Sequence, residues 1–269
     1  MLGQRPVNWG KDKLSGFAEA AFNNEIATYA HPATAGWHET LNELATLLTS
    51  CTEAVLQNVE NHLDAIGRLL FVQAHSQYLA AARSASSGHC LATYPVGRSA
   101  IESAFYAWHL VRDQSAARRW LDKPTNKDEL RQWGREFTVS NIASKVAALT
   151  DEGQKAAEWG KFLYQSAIDE GAHPNEQALF SNMKLLETQG DPQFQITFLH
   201  GHGLQFVNSA KFAVEVGMFI LRMYELALPE VASKLGIAAR NRSIAGMLTL
   251  MISNSSDLVA DVEARSPGE

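Results

Sequence analysis

PVGRSAIESAFYAWHLV, residues 95–111, decides the fold. At 100° per residue, Ile101, Ala104, Phe105, Trp108, Val111 and the stem of Arg112 fall within an arc of roughly 120°. Ala100, Ala107 and Leu110 carry apolar character most of the way round. What remains is a narrow strip of Arg98, Glu102, Tyr106 and His109. A helix apolar on nearly every side lies inside its protein. The stretch therefore predicts the central buried helix of an all-α protein, and its polar strip either lines a pocket or is the one face left to water.

Working outward, Ser84 to Gly88 reads as a helix stop and turn ahead of this helix. Further upstream, Leu41, Leu44, Leu48, Cys51, Val55, Val59, His62, Ile66, Leu69 and Leu70 follow steps of three and four. That seam predicts one long bent helix reaching Ala82, with a break near 58–61 or at Gly67 as the alternative, and it suits antiparallel bundle packing or a dimer. Residues 1–37 read as an arm with a short helix over Leu14–Asn24. Downstream, the pattern predicts helices over Ser115–Leu121, from Thr125 or Asn126 to Leu149, over Gln154–Glu170, over Leu204–Leu228, and over Ala239–Val262. MKLLETQ, then Gly190-Asp191-Pro192, then QFQITFLH predicts one small β-hairpin at about 183–199, because Phe194, Ile196 and Phe198 alternate with polar residues. The expected architecture is an all-α helical bundle of long antiparallel helices: one domain over 38–262 and a flexible tail over 263–269.

Composition narrows the function classes. With 46% hydrophobic and 19% charged residues, the chain is globular rather than disordered. A formal net charge of −6 argues against non-specific attraction to nucleic acid or anionic lipid. Cys51 and Cys90 form no CxxC or finger spacing, and no apolar leader opens the chain, so a cytoplasmic setting with reduced thiols is expected. The most apolar run, Phe212–Leu228, is interrupted by Glu215, Arg222 and Glu225 and reads as a core helix rather than a membrane span.

Four groups of residues carry candidate chemistry. In the strip, Arg98 and Glu102 pair, with Tyr106 or His109 available for proton transfer; the plainer reading is an i,i+4 ion pair on a helix surface. In FLYQSAIDEGAHPN, a helix face through Trp159, Phe162, Leu163 and Ser166 leads to Asp169 or Glu170 and on to His173; the plainer reading is a helix C-cap with a His-Pro turn. His200-Gly201-His202 offers two imidazoles to a metal if a carboxylate joins them, although HExxH is absent. The bases Arg112, Arg118, Arg119, Lys123, Lys127, Arg131 and Arg135 interleave with Trp120 and Trp133, but Asp113, Asp122, Asp128 and Glu129 dilute them. Nucleic acid is accordingly not an expected partner. Phosphate loops, GxGxxG and GxSxG are missing, and no cofactor is expected.

RSAIESAFYAW from Arg98 and DEGAHPN from Asp169 resemble a pattern in bacterial all-helical proteins of unknown function, distantly like the HEPN group of helical bundles. The resemblance implies a helical bundle core and, for some HEPN proteins, metal-independent RNA cleavage by an Arg and a His. The HEPN signature is an Arg followed by a polar residue, with four to six residues between the Arg and a His. Arg68…His75 and Arg83…His89 meet the spacing only, and Arg240-Asn241 has the start without a His. The favoured expectation is a binding or interaction protein, with a pocket between the central helix and the DEGAHPN turn and a small molecule or protein as partner. The alternative is a HEPN-like ribonuclease of a defence or toxin–antitoxin system. A third reading is a metal-dependent hydrolase using His200 and His202.

Overall fold

The computed structural model of the protein describes residues 6–57, 59–173, 176–186 and 193–264. The helices among them are α1 Lys13–Ala30, α2 Ala35–Gln57, α3 His62–Ser86, α4 Cys90–Arg112, α5 Gln114–Leu121, α6 Lys127–Glu136, α7 Val139–Ala147, α8 Asp151–Ala167, α9 Glu176–Ser181, α10 Leu204–Ala227, α11 Pro229–Leu235 and α12 Ile237–Ala264. A wider π-type turn, Ile168–Ala172, prolongs α8. Strands β1 Met183–Leu186 and β2 Gln193–Ile196 pair antiparallel, with Met183 opposite Ile196. The protein is thus an all-α helical bundle with one small antiparallel β ladder. The turn expected at Gly190-Asp191-Pro192 and the end of the expected tail, 265–269, lie outside the described residues.

The central helix is buried as its pattern requires. Ile101, Ala104, Phe105, Ala107 and Leu110 are fully enclosed, and α4 packs along α3, α10 and α8. Small residues set these approaches. A Cβ on Gly67 would lie 2.6 Å from the Val111 amide, so the start of α3 meets the end of α4 backbone to backbone, antiparallel. A Cβ on Gly97 would lie 2.5 Å from Phe212, and one on Gly160 would lie 2.6 Å from both Phe105 and Phe219. α10 is long and apolar enough to cross a membrane by length and composition, yet most of it is buried inside the bundle.

The seam before α4 is two helices, not one long bent helix. Asn61 adopts an extended conformation and its side chain accepts from the Leu63 and Asp64 amides, which starts α3 afresh. Arg68, almost wholly buried, then donates to the Val55 carbonyl at 3.0 Å and pairs with Asp64 at 2.7 Å, tying the new helix to the last turns of α2. Tyr78 donates to the Leu41 carbonyl further along the same antiparallel pair. Leu41, Leu44, Leu48, Cys51 and Val55 are therefore covered by the chain itself.

Other boundaries move for capping reasons. The helix expected from Asn126 to Leu149 is split, because Phe137 is buried and Thr138 caps α7 at the Asn141 amide. The helix expected from Gln154 starts earlier, with Asp151-Glu152-Gly153 as the first turn of α8: Thr150 caps it at the Gly153 amide, and acidic residues suit a helix N-terminus. The arm helix runs on to Ala30 instead of ending at Asn24, and α2 already begins within the expected arm, at Ala35. Pins to α3 and its turn hold α1: Asn24 donates to the Ser87 and His200 carbonyls, Thr28 to the Ser86 carbonyl, and Glu25 pairs with Arg83.

Candidate functional site

Arg98 lies two turns into the central helix, half-buried, and reaches across to α8 and the turn that follows it. One terminal nitrogen lies 3.0 Å from Nε2 of His173 and the other donates to the Tyr164 hydroxyl at 2.6 Å. Tyr164 in turn donates to Oε1 of Glu102 at 2.9 Å, and Glu102 lies 3.6 Å from Nε of Arg98. The guanidinium also sits over the Tyr164 ring, 4.6 Å from its centroid. Four side chains from α4, α8 and the DEGAHPN turn thus close one network. Guanidinium only donates, so in this contact Nε2 of His173 accepts from Arg98.

Local sequence explains the placement. α4 and α8 run antiparallel with Gly160 at their contact, so Tyr164, one turn past it on α8, faces both Glu102 and Arg98. After Ala167 the helix widens, and Gly171, at φ 148°, redirects the chain. A Cβ there would lie 3.1 Å from Leu91. His173 emerges beside a groove of about 470 Å³ whose walls include Leu91, Ala178, Leu179, Met183 and Ile196.

Of the residues expected at this site, Arg98, Glu102 and His173 are brought together. Asp169 instead accepts from the Gln165 side chain at 2.9 Å on the exposed side of the turn. His109 belongs elsewhere: it is buried at the far end of α4, 3.0 Å from Nζ of Lys145 and 3.8 Å from Glu136, against the Phe137 ring. Tyr106 goes with it, donating to the Phe137 carbonyl. The strip is therefore two sites, because the end of α6 and α7 cap one half while α8 caps the other.

Tyr164 is the member that sequence reasoning missed. A face drawn through Trp159, Phe162 and Ser166 follows bulk, yet Phe162 is exposed. The buried face runs through Gly153, Ala156, Ala157, Gly160, Leu163 and Ala167. The i, i+3, i+4, i+7 register from Gly160 would have placed Tyr164 inward.

His200 and His202 do not converge. Nε2 of His200 lies 2.7 Å from the Asn182 side chain and its amide donates to the Gly88 carbonyl, while His202 stacks on His31 at 4.2 Å. Among the described residues no group of three His, Cys, Asp or Glu is placed to hold a metal. Of the two Arg/His spacings, Arg68 and His75 are buried, with Nδ1 of His75 against Thr52. Arg83 is exposed and His89 packs edge-on against Phe17. In the basic run, Arg119 is held by Glu136, and Trp133 donates to the Arg119 carbonyl while packing on the core.

Burial lowers the pKa of His109, assisted by Lys145 and opposed by Asp113 and Glu136. Burial likewise lowers those of His75, His89 and His200, and of His38 against a raising influence from Glu25. Groups held below the ordinary value of 6.5 bind fewer protons folded than unfolded. Their stabilising contribution is complete above about 6.5 and is lost as the pH falls through and below it. Urea unfolding is expected to give a falling stability between pH 7 and 5, with a slope of at most about 1.4 kcal/mol per pH unit for each such histidine. Glu136, held low chiefly by its hydrogen bond from Arg119, begins to lose its contribution only below about 4.5. A flat profile between pH 7 and 5 would contradict this burial.

Compared with known protein families, curated proteins and solved structures, the chain matches none.

Proposed function

We propose that this chain is a binding protein whose ligand site is the Arg98, Glu102, Tyr164 and His173 network together with the groove beside His173. The observation that carries the reading is the Arg98–His173 contact, which joins residues 75 positions apart at the mouth of an apolar groove. Ligand sites combine an apolar hollow with a few convergent polar groups, and this place has both. The HEPN-like resemblance of a bacterial helical protein rests on the same two blocks of sequence, RSAIESAFYAW and DEGAHPN, whose Arg98, Glu102 and His173 meet here. A cytoplasmic setting is supported by two free, buried thiols, Cys51 pushed up to about 12 and Cys90 to about 11 by burial. A homodimer is part of the proposal too. The α2 seam lends it no support because the chain covers it, so the case rests on exposed apolar residues such as Leu250 on α12.

The ribonuclease reading has one observation in its favour. Arg98 and His173 form an Arg/His pair at the surface, outside the motif spacing and beside a tyrosine hydroxyl. Incubation with RNA in excess chelator separates the two readings. As a binding protein, the chain is expected to leave RNA intact over hours, and Arg98→Ala and His173→Ala to change nothing. Degradation by the wild type that both substitutions abolish would replace the binding reading with the nuclease.

A further inference from the structure

The site just proposed also indicates the chemistry of its occupant. Arginine carries five N–H donors, and Arg98 spends two of them, on His173 and Tyr164. Its Nε is 3.6 Å from Glu102, beyond hydrogen-bond reach. Three donors on a partly exposed, planar cation remain for an acceptor from outside, and a carboxylate or phosphate matches that fork.

Next to this donor edge the surface changes character. His173 is the one ionisable residue among the groove's described lining. Two of its walls, Leu179 and Ile196, are more than half exposed. Phe180, Phe194 and Phe198, close to these walls in the chain, are likewise exposed, at 62%, 59% and 64%. Apolar side chains gathered at such exposure mark a contact site rather than ordinary surface.

Resting on the binding reading, we infer that the ligand is a small amphipathic anion. Its acidic head is held by Arg98 beside His173, and its hydrocarbon body lies in the groove between the DEGAHPN turn and the β ladder. A cation is disfavoured at the mouth by Arg98. A fully polar anion would leave the groove unfilled.

Calorimetric titration of the full chain, with probes kept below their micellar concentrations, tests this. Decanoate and decyl phosphate are the two acidic probes, and decanol and decyltrimethylammonium are their neutral and cationic counterparts. The expected result is saturable binding of at least one acid, at least tenfold tighter than decanol or the cation; which acid binds tighter identifies the head group. Arg98→Gln is expected to weaken the acid at least tenfold and leave decanol unchanged. Leu179→Ser, at an exposed position that folding does not need, is expected to weaken every ten-carbon probe. Decanol or the cation binding as tightly as the acids, still weakened by Leu179→Ser, would retain the pocket and overturn the anionic ligand. No binding of any probe, or binding indifferent to both substitutions, would overturn pocket and ligand class together. Sedimentation with phosphatidylglycerol vesicles in the absence of soluble-probe binding would make this face a lipid contact and likewise overturn the inference.

Discussion

Phe105→Ala is expected to lower the unfolding free energy by about 3–5 kcal/mol. The ring is fully enclosed, its centroid 5.0 Å from that of Phe219 on α10, and Gly160 on α8 presses backbone against both. Truncation at a site walled by a glycine leaves a cavity that neighbours cannot easily collapse into, which places the cost in the upper part of that range. Urea titration should show the midpoint falling at constant slope. A loss below about 1 kcal/mol would mean that α4, α8 and α10 do not meet there, since large-to-small changes at enclosed positions cost more than that.

The second large effect is expected at a turn. Gly88→Ala should cost about 3 kcal/mol or more, or a fall of roughly 6–12 °C in Tm. Gly88 has φ 78°, a left-handed conformation that disfavours any Cβ. An added Cβ would also lie 2.0 Å from the His200 carbonyl and 2.4 Å from Nδ2 of the Asn24 side chain. Neither can retreat cheaply, because Asn24 bridges the Ser87 and His200 carbonyls and the His200 amide donates to the Gly88 carbonyl. Gly134→Ala is the matched control. It lies inside α6 with nothing within 4 Å of a new Cβ, so it should be neutral or stabilise by up to about 1 kcal/mol. Equal effects at Gly88 and Gly134 would show that the knot joining α1, the α3–α4 turn and the His200 loop is not formed.

These two sites illustrate what the sequence could and could not convey. Phe105 was legible because helical periodicity encodes burial directly, and the enclosed face of α4 is the one that its spacing draws. The pairing of Arg98 with Glu102 was legible for the same reason, being a one-turn relation within a helix. The role of Gly88 in fixing His200 was not, because it depends on three segments converging, and no local pattern records that. Caps misled in both directions. Asn61 and Thr138 each interrupt a run whose apolar spacing continues through the break, so periodicity alone joined helices that side-chain hydrogen bonds separate. At the candidate site, bulk drew attention to Phe162 while the small residues of α8 were setting the contact and turning Tyr164 inward. His109 was grouped with Arg98 by helix face alone; eleven residues of rise separate them by about 16 Å, which face projection ignores.

The closeness of α3, α4, α8 and α10 at Gly67, Gly97 and Gly160 has a further consequence. The wall that presents Arg98, Glu102 and Tyr164 is part of a rigid chassis. The opposing wall, which includes Ala178, Leu179, Met183 and Ile196, contributes no side chain to the main buried cluster among the described residues. Substitutions at these positions are therefore expected to change which guest the groove admits while leaving untouched the scaffold that supplies the charge.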